Sequence, residues 1–202
     1  MHQGALWIVV LIKDFSTAKS RLSPAMRPDQ RRALAEMTAA RALDAALAVA
    51  STLAVCGSEE SARLARTIGA EVLVEQSPGG QNPAARRGLD DVLQRGAGSA
   101  LLLSSDLPLI DPAGLRRLLA RTDTDGPLVV AAPAVGRQGT NALYLRPPGD
   151  FELHFGAASL PRFAAEAHRR GRGFLVHDDP SLALDLDEPG DLSAWRVLEP
   201  TA

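Results

Sequence analysis

Lysine is nearly missing from this chain. Only Lys13 and Lys19 break the arginine monopoly among 22 basic residues, and they sit six positions apart. Cysteine occurs once, as Cys56. That excludes an internal disulfide and a cysteine metal cage, and it suits a reducing cytoplasm. Net charge is only −2, so a broad electrostatic footprint for nucleic acid is missing. No apolar run approaches the roughly 18 residues that a membrane span requires. Met1-His2-Gln3-Gly4 lacks the basic region of a signal peptide. The expectation is a cytoplasmic protein without a membrane or nucleic-acid partner. Neither Gly-x-Gly-x-x-Gly after the first strand nor Gly-x-x-x-x-Gly-Lys-Ser/Thr is present, which counts against a dinucleotide oxidoreductase and a P-loop NTPase. His154 and His177 fall near strand ends, His168 on a helix and His2 at the terminus. None has metal-ligand spacing or a paired nucleophile, so no catalytic histidine is expected.

What remains is an ordinary globular composition, 46% apolar and 23% charged. At 202 residues the simplest reading is one domain, 1–202, with one sizeable core. Apolar, β-branched runs alternate with alanine- and arginine-rich stretches. Strands are expected at about 5–12, 52–56, 70–75, 100–103, 128–132, 141–145 and 174–177. Helices are expected at about 28–50, 59–68, 83–95, 111–121, 160–170 and 188–196. Pro28, Pro83 and Pro112 fit first helical turns, Ser58 an N-cap and Gly69 a C-terminal stop. Unbroken apolar strands alternating with helices predict an α/β protein with a mostly parallel sheet covered on both faces. The sixth strand follows the fifth without a helix, so it is expected to pair antiparallel.

Four constellations could carry chemistry. Lys13, Lys19 and Arg21 lie in the loop after the first strand, where α/β proteins bind anions. Lysine there, in a chain that otherwise uses arginine, points to a compact ammonium in place of a planar guanidinium. The alternative is a solvated basic loop. Asp106 ends the strand Ala100–Leu103, and Asp185 and Asp187 flank Leu186, facing the same way on an extended segment. Carboxylates at one sheet edge suit Mg²⁺, which takes one or two of them together with substrate phosphates and waters. Turn or cap residues are the competing reading. Gly136-Arg137-Gln138-Gly139-Thr140-Asn141 could present backbone N–H groups and a hydroxyl to an anion, or simply be a loop before a strand. Phe155-Gly156-Ala157-Ala158-Ser159 opens a helix, where Ser159 is either an anion contact or an N-cap. Cys56 reads as packing.

Taken in order, these segments resemble one family. Its marks are Lys13…Ala18-Lys19-Ser20-Arg21-Leu22, Asp106-Leu107-Pro108-Leu109, Gly139-Thr140-Asn141-Ala142-Leu143, Pro147-Pro148 before Phe151, Phe155-Gly156…Ser159 and Asp185-Leu186-Asp187-Glu188-Pro189…Asp191-Leu192. Over nearly its whole length the chain is similar to the guanylyltransferases of coenzyme F-420 biosynthesis, called CofC or FbiD. The resemblance implies a three-layer α/β/α, Rossmann-like sheet of the GT-A type. It also implies a reaction in which a phosphorylated three-carbon acid attacks the α-phosphorus of GTP and pyrophosphate leaves. That acid is phosphoenolpyruvate, 2-phospho-L-lactate or 3-phosphoglycerate. By the family pattern Lys13, Lys19, Arg21 and Asn82 would hold the nucleotide. Asp106, Asp185 and Asp187 would hold Mg²⁺, and Thr140, Gly156 and Ser159 the acid. Lys13, Lys19 and Asp106 would be the catalytic groups, and a homodimer is left open. Two departures stand out: Gly80-Gln81-Asn82-Pro83 replaces Gly-Leu-Asn-Ala, and Phe163 stands where many relatives have histidine.

The implied chemistry matches the residue inventory. A phosphate monoester is already largely dianionic at neutral pH, so its oxygen needs no general base. It needs relief from repulsion by the second anion, alignment, and charge stabilisation on the leaving group. A sugar-phosphate or molybdopterin-type nucleotidyltransferase is the rival on the same fold. A non-catalytic nucleotide-binding module is the rival from another class.

Overall fold

The first apolar run becomes the strand beside which the site is built. In the computed structural model, which describes residues 4–77, 79–136 and 139–198, β1 spans Leu6–Ile12. The other strands are β2 Ser51–Cys56, β3 Glu71–Val74, β4 Ser99–Ser104, β5 Leu128–Pro133, β6 Thr140–Arg146 and β7 Gly173–Val176. They form one sheet in the order β3-β2-β1-β4-β6-β5-β7. β1 pairs in parallel with β2, Val9 opposite Leu53, and with β4, Val9 opposite Leu102. β6 runs antiparallel to both β4 and β5, as its missing crossover helix requires.

Among the described residues, seven α-helices accompany the sheet: α1 Pro28–Leu47, α2 Glu59–Ile68, α3 Gln81–Gln94, α4 Pro112–Ala120, α5 Ser159–Arg169, α6 Pro180–Ala183 and α7 Pro189–Leu198. Side chains alternate across β1. Ile8, Val10 and Ile12 pack with Ala39, Leu43, Ala62 and Leu115 of α1, α2 and α4. Val9 and Leu11 pack with Leu89, Val92 and Phe163 of α3 and α5. Both faces are therefore covered, which is why the strand reads as a continuous apolar run. Each fully buried Val, Leu, Ile or Phe among them contributes about 1.5–3 kcal/mol. No helix among the described residues is long and apolar enough to cross a membrane.

Local signals set the helix ends. The Ser58 hydroxyl accepts from the Ser61 N–H at the start of α2, and Gly69 follows its end. Asp111 accepts from the Gly114 N–H ahead of α4, with Pro112 in the first turn. α3 begins at Gln81, two residues before the expected Pro83. A proline in the first turn lacks only an N–H that would have no intrahelical partner, so the helix extends backwards past it. Two short elements were not expected from sequence: a 3-10 turn, Ser20–Leu22, and α6, whose Asp179 cap accepts from the Ser181 N–H.

A small third core lies away from the two main layers. Leu22, Leu34, Leu184 and Leu186 are buried together, with Met26, Leu109, Leu192 and Trp195 against them. It joins the loop after β1, the start of α1, the segment 184–187 and α7. It lies beside the charged residues described next, since Leu22 and Leu186 are chain neighbours of Arg21 and of Asp185 and Asp187.

Candidate active site

The sheet has its topological switch between β1 and β4. From β1 the chain first builds outward through β2 and β3, then returns to lay β4 on the other side. Ligands of open α/β sheets bind outside the carboxyl ends of strands at such a point. Lys13 follows β1 at this edge and is exposed. The chain then folds back on itself: Asp14 accepts from the Ser16 and Ala18 N–H groups, and Phe15 and Ala18 are buried. Lys19 has φ 58°, in the left-handed region, and is only 9% exposed. Its ammonium donates to the Leu186 carbonyl at 2.5 Å and lies 3.3 Å from the Asp106 carboxylate. The Leu186 N–H in turn donates to the Asp106 carbonyl at 3.1 Å. Three segments remote in sequence thus meet on one lysine.

The neighbouring residues extend this cluster. Arg21 is mostly exposed and pairs with Asp187 at 2.7 Å. Asp185 and Asp187 are half-buried while Leu184 and Leu186 between and before them are buried, so the expected alternation holds. The cap on α7 comes from Asp191, which accepts from the Asp187 and Glu188 N–H groups. A buried asparagine, Asn141, donates to the carbonyls of Leu182 and Ala183 and ties β6 to this segment.

The expected acid-binding residues also converge. Thr140 and Ser159 are buried, with their hydroxyls 2.9 Å apart. The Ser159 N–H donates to the Gly156 carbonyl at 3.2 Å. Gly156 has φ 123°, a conformation open to glycine and strained for other residues. Ser159 is the first residue of α5, and its hydroxyl reaches Thr140 instead of capping the helix. Arg137 and Gln138, in the loop before β6, lie outside the described residues.

Comparison with known proteins gives this edge a family. Residues 6–197 match the model described as "Guanylyl transferase CofC like". The chain belongs to that family. The phosphoenolpyruvate guanylyltransferase of Conexibacter woesei is 36% identical to it, over 94% of this chain and 86% of the relative. The 2-phospho-L-lactate guanylyltransferase of Methanothermobacter thermautotrophicus is 32% identical, over 91% of this chain and 81% of the relative. A solved nucleotidyl transferase structure from the latter organism shares the fold with a TM-score of 0.66 at 16% identity, covering 96% of this chain and 97% of the other.

In this CofC-like chain the donors at the switch edge are carboxylate oxygens, the hard ligands Mg²⁺ prefers. They do not form a closed cage. Among the described residues, the group of three metal-ligating side chains drawn within 4.8 Å of one another is Glu152, His154 and Glu166, elsewhere in the fold. That group is already paired. Glu166 accepts from the Glu152 N–H, Arg169 and Arg170, and His154 contacts Arg162. Burial pushes the Glu166 carboxyl up, but these donors outweigh it and hold it low. Asp106, Asp185 and Asp187 offer carboxylates at this edge, where Asp106 pairs with Lys19 and Asp187 with Arg21; a Mg²⁺ ion there would need only one or two of them, with substrate phosphates completing its shell.

Cys56 of the CofC-like chain is fully buried and offers no accessible thiol. Burial pushes the Cys56 thiol up to about 12, so it packs without reacting. Asn82 lies at the start of α3 and spends its side-chain amide on the backbone of Phe155. Sequence reasoning quoted Asn141 within a motif without giving it a role in the cluster, and it did not reach the Leu186 carbonyl. Asn141 had a weak signal, an amide opening an apolar strand. A backbone carbonyl has none.

Proposed function

We propose that this protein is a guanylyltransferase that joins GTP to a phosphorylated three-carbon acid, with phosphoenolpyruvate as the first candidate and 2-phospho-L-lactate as the second. The observation that carries the reading is the meeting of Lys19, Asp106 and the Leu186 segment at the sheet's switch point, with Thr140, which opens β6 next to the end of β4, bonded to Ser159 of α5. One cluster offers a cation and carboxylates to a triphosphate. The other offers hydroxyl and backbone donors to a small anion.

In the reaction a phosphate oxygen of the acid forms a bond to the α-phosphorus of GTP. The bond from that phosphorus to the bridging oxygen breaks, and its electron pair leaves on pyrophosphate. The product is a guanosine diphosphate ester of the acid, enolpyruvoyl-diphospho-5'-guanosine in the first case. Lys13 and Lys19 neutralise the triphosphate and the charge growing on the leaving group. Arg21 adds a planar donor at the same edge. Thr140, Gly156 and Ser159 hold the acid in line, where proximity removes much of the entropic barrier. Mg²⁺ on Asp106 with Asp185 or Asp187, when bound, would screen the phosphates from each other.

The test is product mass spectrometry from GTP with a mixed pool of phosphoenolpyruvate, 2-phospho-L-lactate and 3-phosphoglycerate, with pyrophosphate release followed in parallel. A guanosine diphosphate ester of one acid is expected. Turnover only with a sugar 1-phosphate, or GTP binding without pyrophosphate release, would overturn the reading.

A further inference from the structure

Asn82 is held in a way that a nucleotide contact would not require. Its Oδ1 accepts from the Phe155 N–H at 2.7 Å, and its Nδ2 donates to the Phe155 carbonyl at 3.1 Å. The two partners dictate which amide atom is which, since an N–H needs the oxygen and a carbonyl needs the nitrogen. This pair imitates one rung of a β-ladder between residues 73 positions apart. The held residue sits immediately before Gly156. Its ring stands edge-on to Phe163 at 5.1 Å, and Phe163 lies 6.1 Å from Phe151. The aromatic cluster fixes the side chain of Phe155, and Asn82 fixes its main chain. Between them they set where the turn 156–159 begins. The adjacent Gln81 amide, 3.5 Å from the Ser104 hydroxyl, ties the same helix turn to the end of β4.

We infer that Asn82 is a positioning residue for the acceptor loop, holding Gly156 and Ser159 in place through the Phe155 backbone, and is not itself a nucleotide contact. The inference rests on the proposed reading in taking Gly156 and Ser159 as acid-binding. It predicts an asymmetric defect. Loosening the loop weakens capture of the acid while leaving the triphosphate cluster around Lys19 and Asp106 intact.

Asn82→Ala and Asn82→Asp test this, with steady-state kinetics for both substrates and hydrogen–deuterium exchange of the peptide containing Phe155. Asn82→Ala should raise the KM for the acid about tenfold, the size of one to two net hydrogen bonds, with the KM for GTP within about twofold. The Phe155 amide should exchange faster. Asn82→Asp keeps the acceptor and loses the donor, so exchange protection of that amide should survive in it. It also serves if the alanine variant folds poorly. A rise in the KM for GTP alone would make Asn82 a nucleotide contact and overturn the inference. Unchanged exchange in Asn82→Ala would overturn it as well. If the wild type turns over none of the acids, the proposed function fails, and the exchange data still decide whether Asn82 holds the loop.

Discussion

The Lys19 ammonium lies 3.3 Å from the Asp106 carboxylate, with Lys19 almost wholly buried. The ammonium has lost most of its hydration while Asp106 is only partly buried, so the lysine is the costlier charge to leave unpaired. The second contact of the ammonium, to the Leu186 carbonyl, makes the same lysine a strut between the ends of β1 and β4 and the segment carrying Asp185 and Asp187.

Lys19→Ala should therefore reduce turnover by about 10²–10³-fold, the usual cost of removing a preorganised charge at a developing anion. Lys19→Arg should not restore it. A planar guanidinium cannot occupy the space of an ammonium held by a carbonyl at 2.5 Å. Pyrophosphate release reads the rate, and circular dichroism confirms the fold. Wild-type turnover in the arginine variant would refute the requirement for a compact cation.

Thr140 and Ser159 share one hydrogen bond between buried hydroxyls. Removing either leaves the other without its partner, whereas removing both does not. The double variant Thr140→Val/Ser159→Ala should be more stable than the sum of the single effects implies, with a coupling of about 0.5–3 kcal/mol. Urea melts of the four proteins measure it. Strict additivity would mean that the pair contributes no shared energy.

Asp179 should make stability depend on acid. Arg117 donates to its carboxylate at 2.7 and 3.1 Å, and the Ser181 hydroxyl and N–H add to the effect. Chiefly through Arg117, and despite burial, the carboxyl is held far below its usual 3.8. A carboxyl with a depressed folded pKa contributes stability that is present above its unfolded value and disappears as pH falls toward the folded one. The melting advantage of the wild type over Asp179→Asn should be full at neutral pH and shrink below about pH 4. Thermal melts across that range check it, and a difference independent of pH would contradict it.

Gly88 in α3 faces the sheet so closely that a Cβ there would come 2.5 Å from Val9 Cγ1 and 2.9 Å from Val55 Cγ2. Both are short, branched side chains with little room to move. Gly88→Ala gains about 0.5–1 kcal/mol of helix propensity but meets an overpacking cost of about 1–3 kcal/mol. A net loss of stability in urea is expected. A gain would show that the helix can lift off the sheet freely.

Much of the fold was legible. The seven strands were visible because each is a short apolar run bounded by turn residues, and the antiparallel β6 because no helix separates it from β5. Ser58, Gly69, Asp111 and Pro112 marked helix ends through chemistry confined to a few neighbours. The 3-10 turn at Ser20–Leu22 and the short α6 were not legible, since each is too brief to show a period. Within the site, Lys13, Lys19, Asp106, Asp185 and Asp187 stood out as charges at strand ends. The side chain of Asn82 was readable as polar, but its partner at Phe155 was not.

The sequence by itself determined the alternation of strands and helices, the chemistry available at the strand ends, and the family. Those follow from local patterns, because burial periodicity, caps and motif residues act over a few positions. Only the tertiary structure decided that Lys19 rests on Leu186, that Thr140 and Ser159 share a bond, and that Asn82 grips Phe155. These contacts join residues from 19 to 167 positions apart. Sheet order and register bring them together, and no local preference of either partner encodes the other.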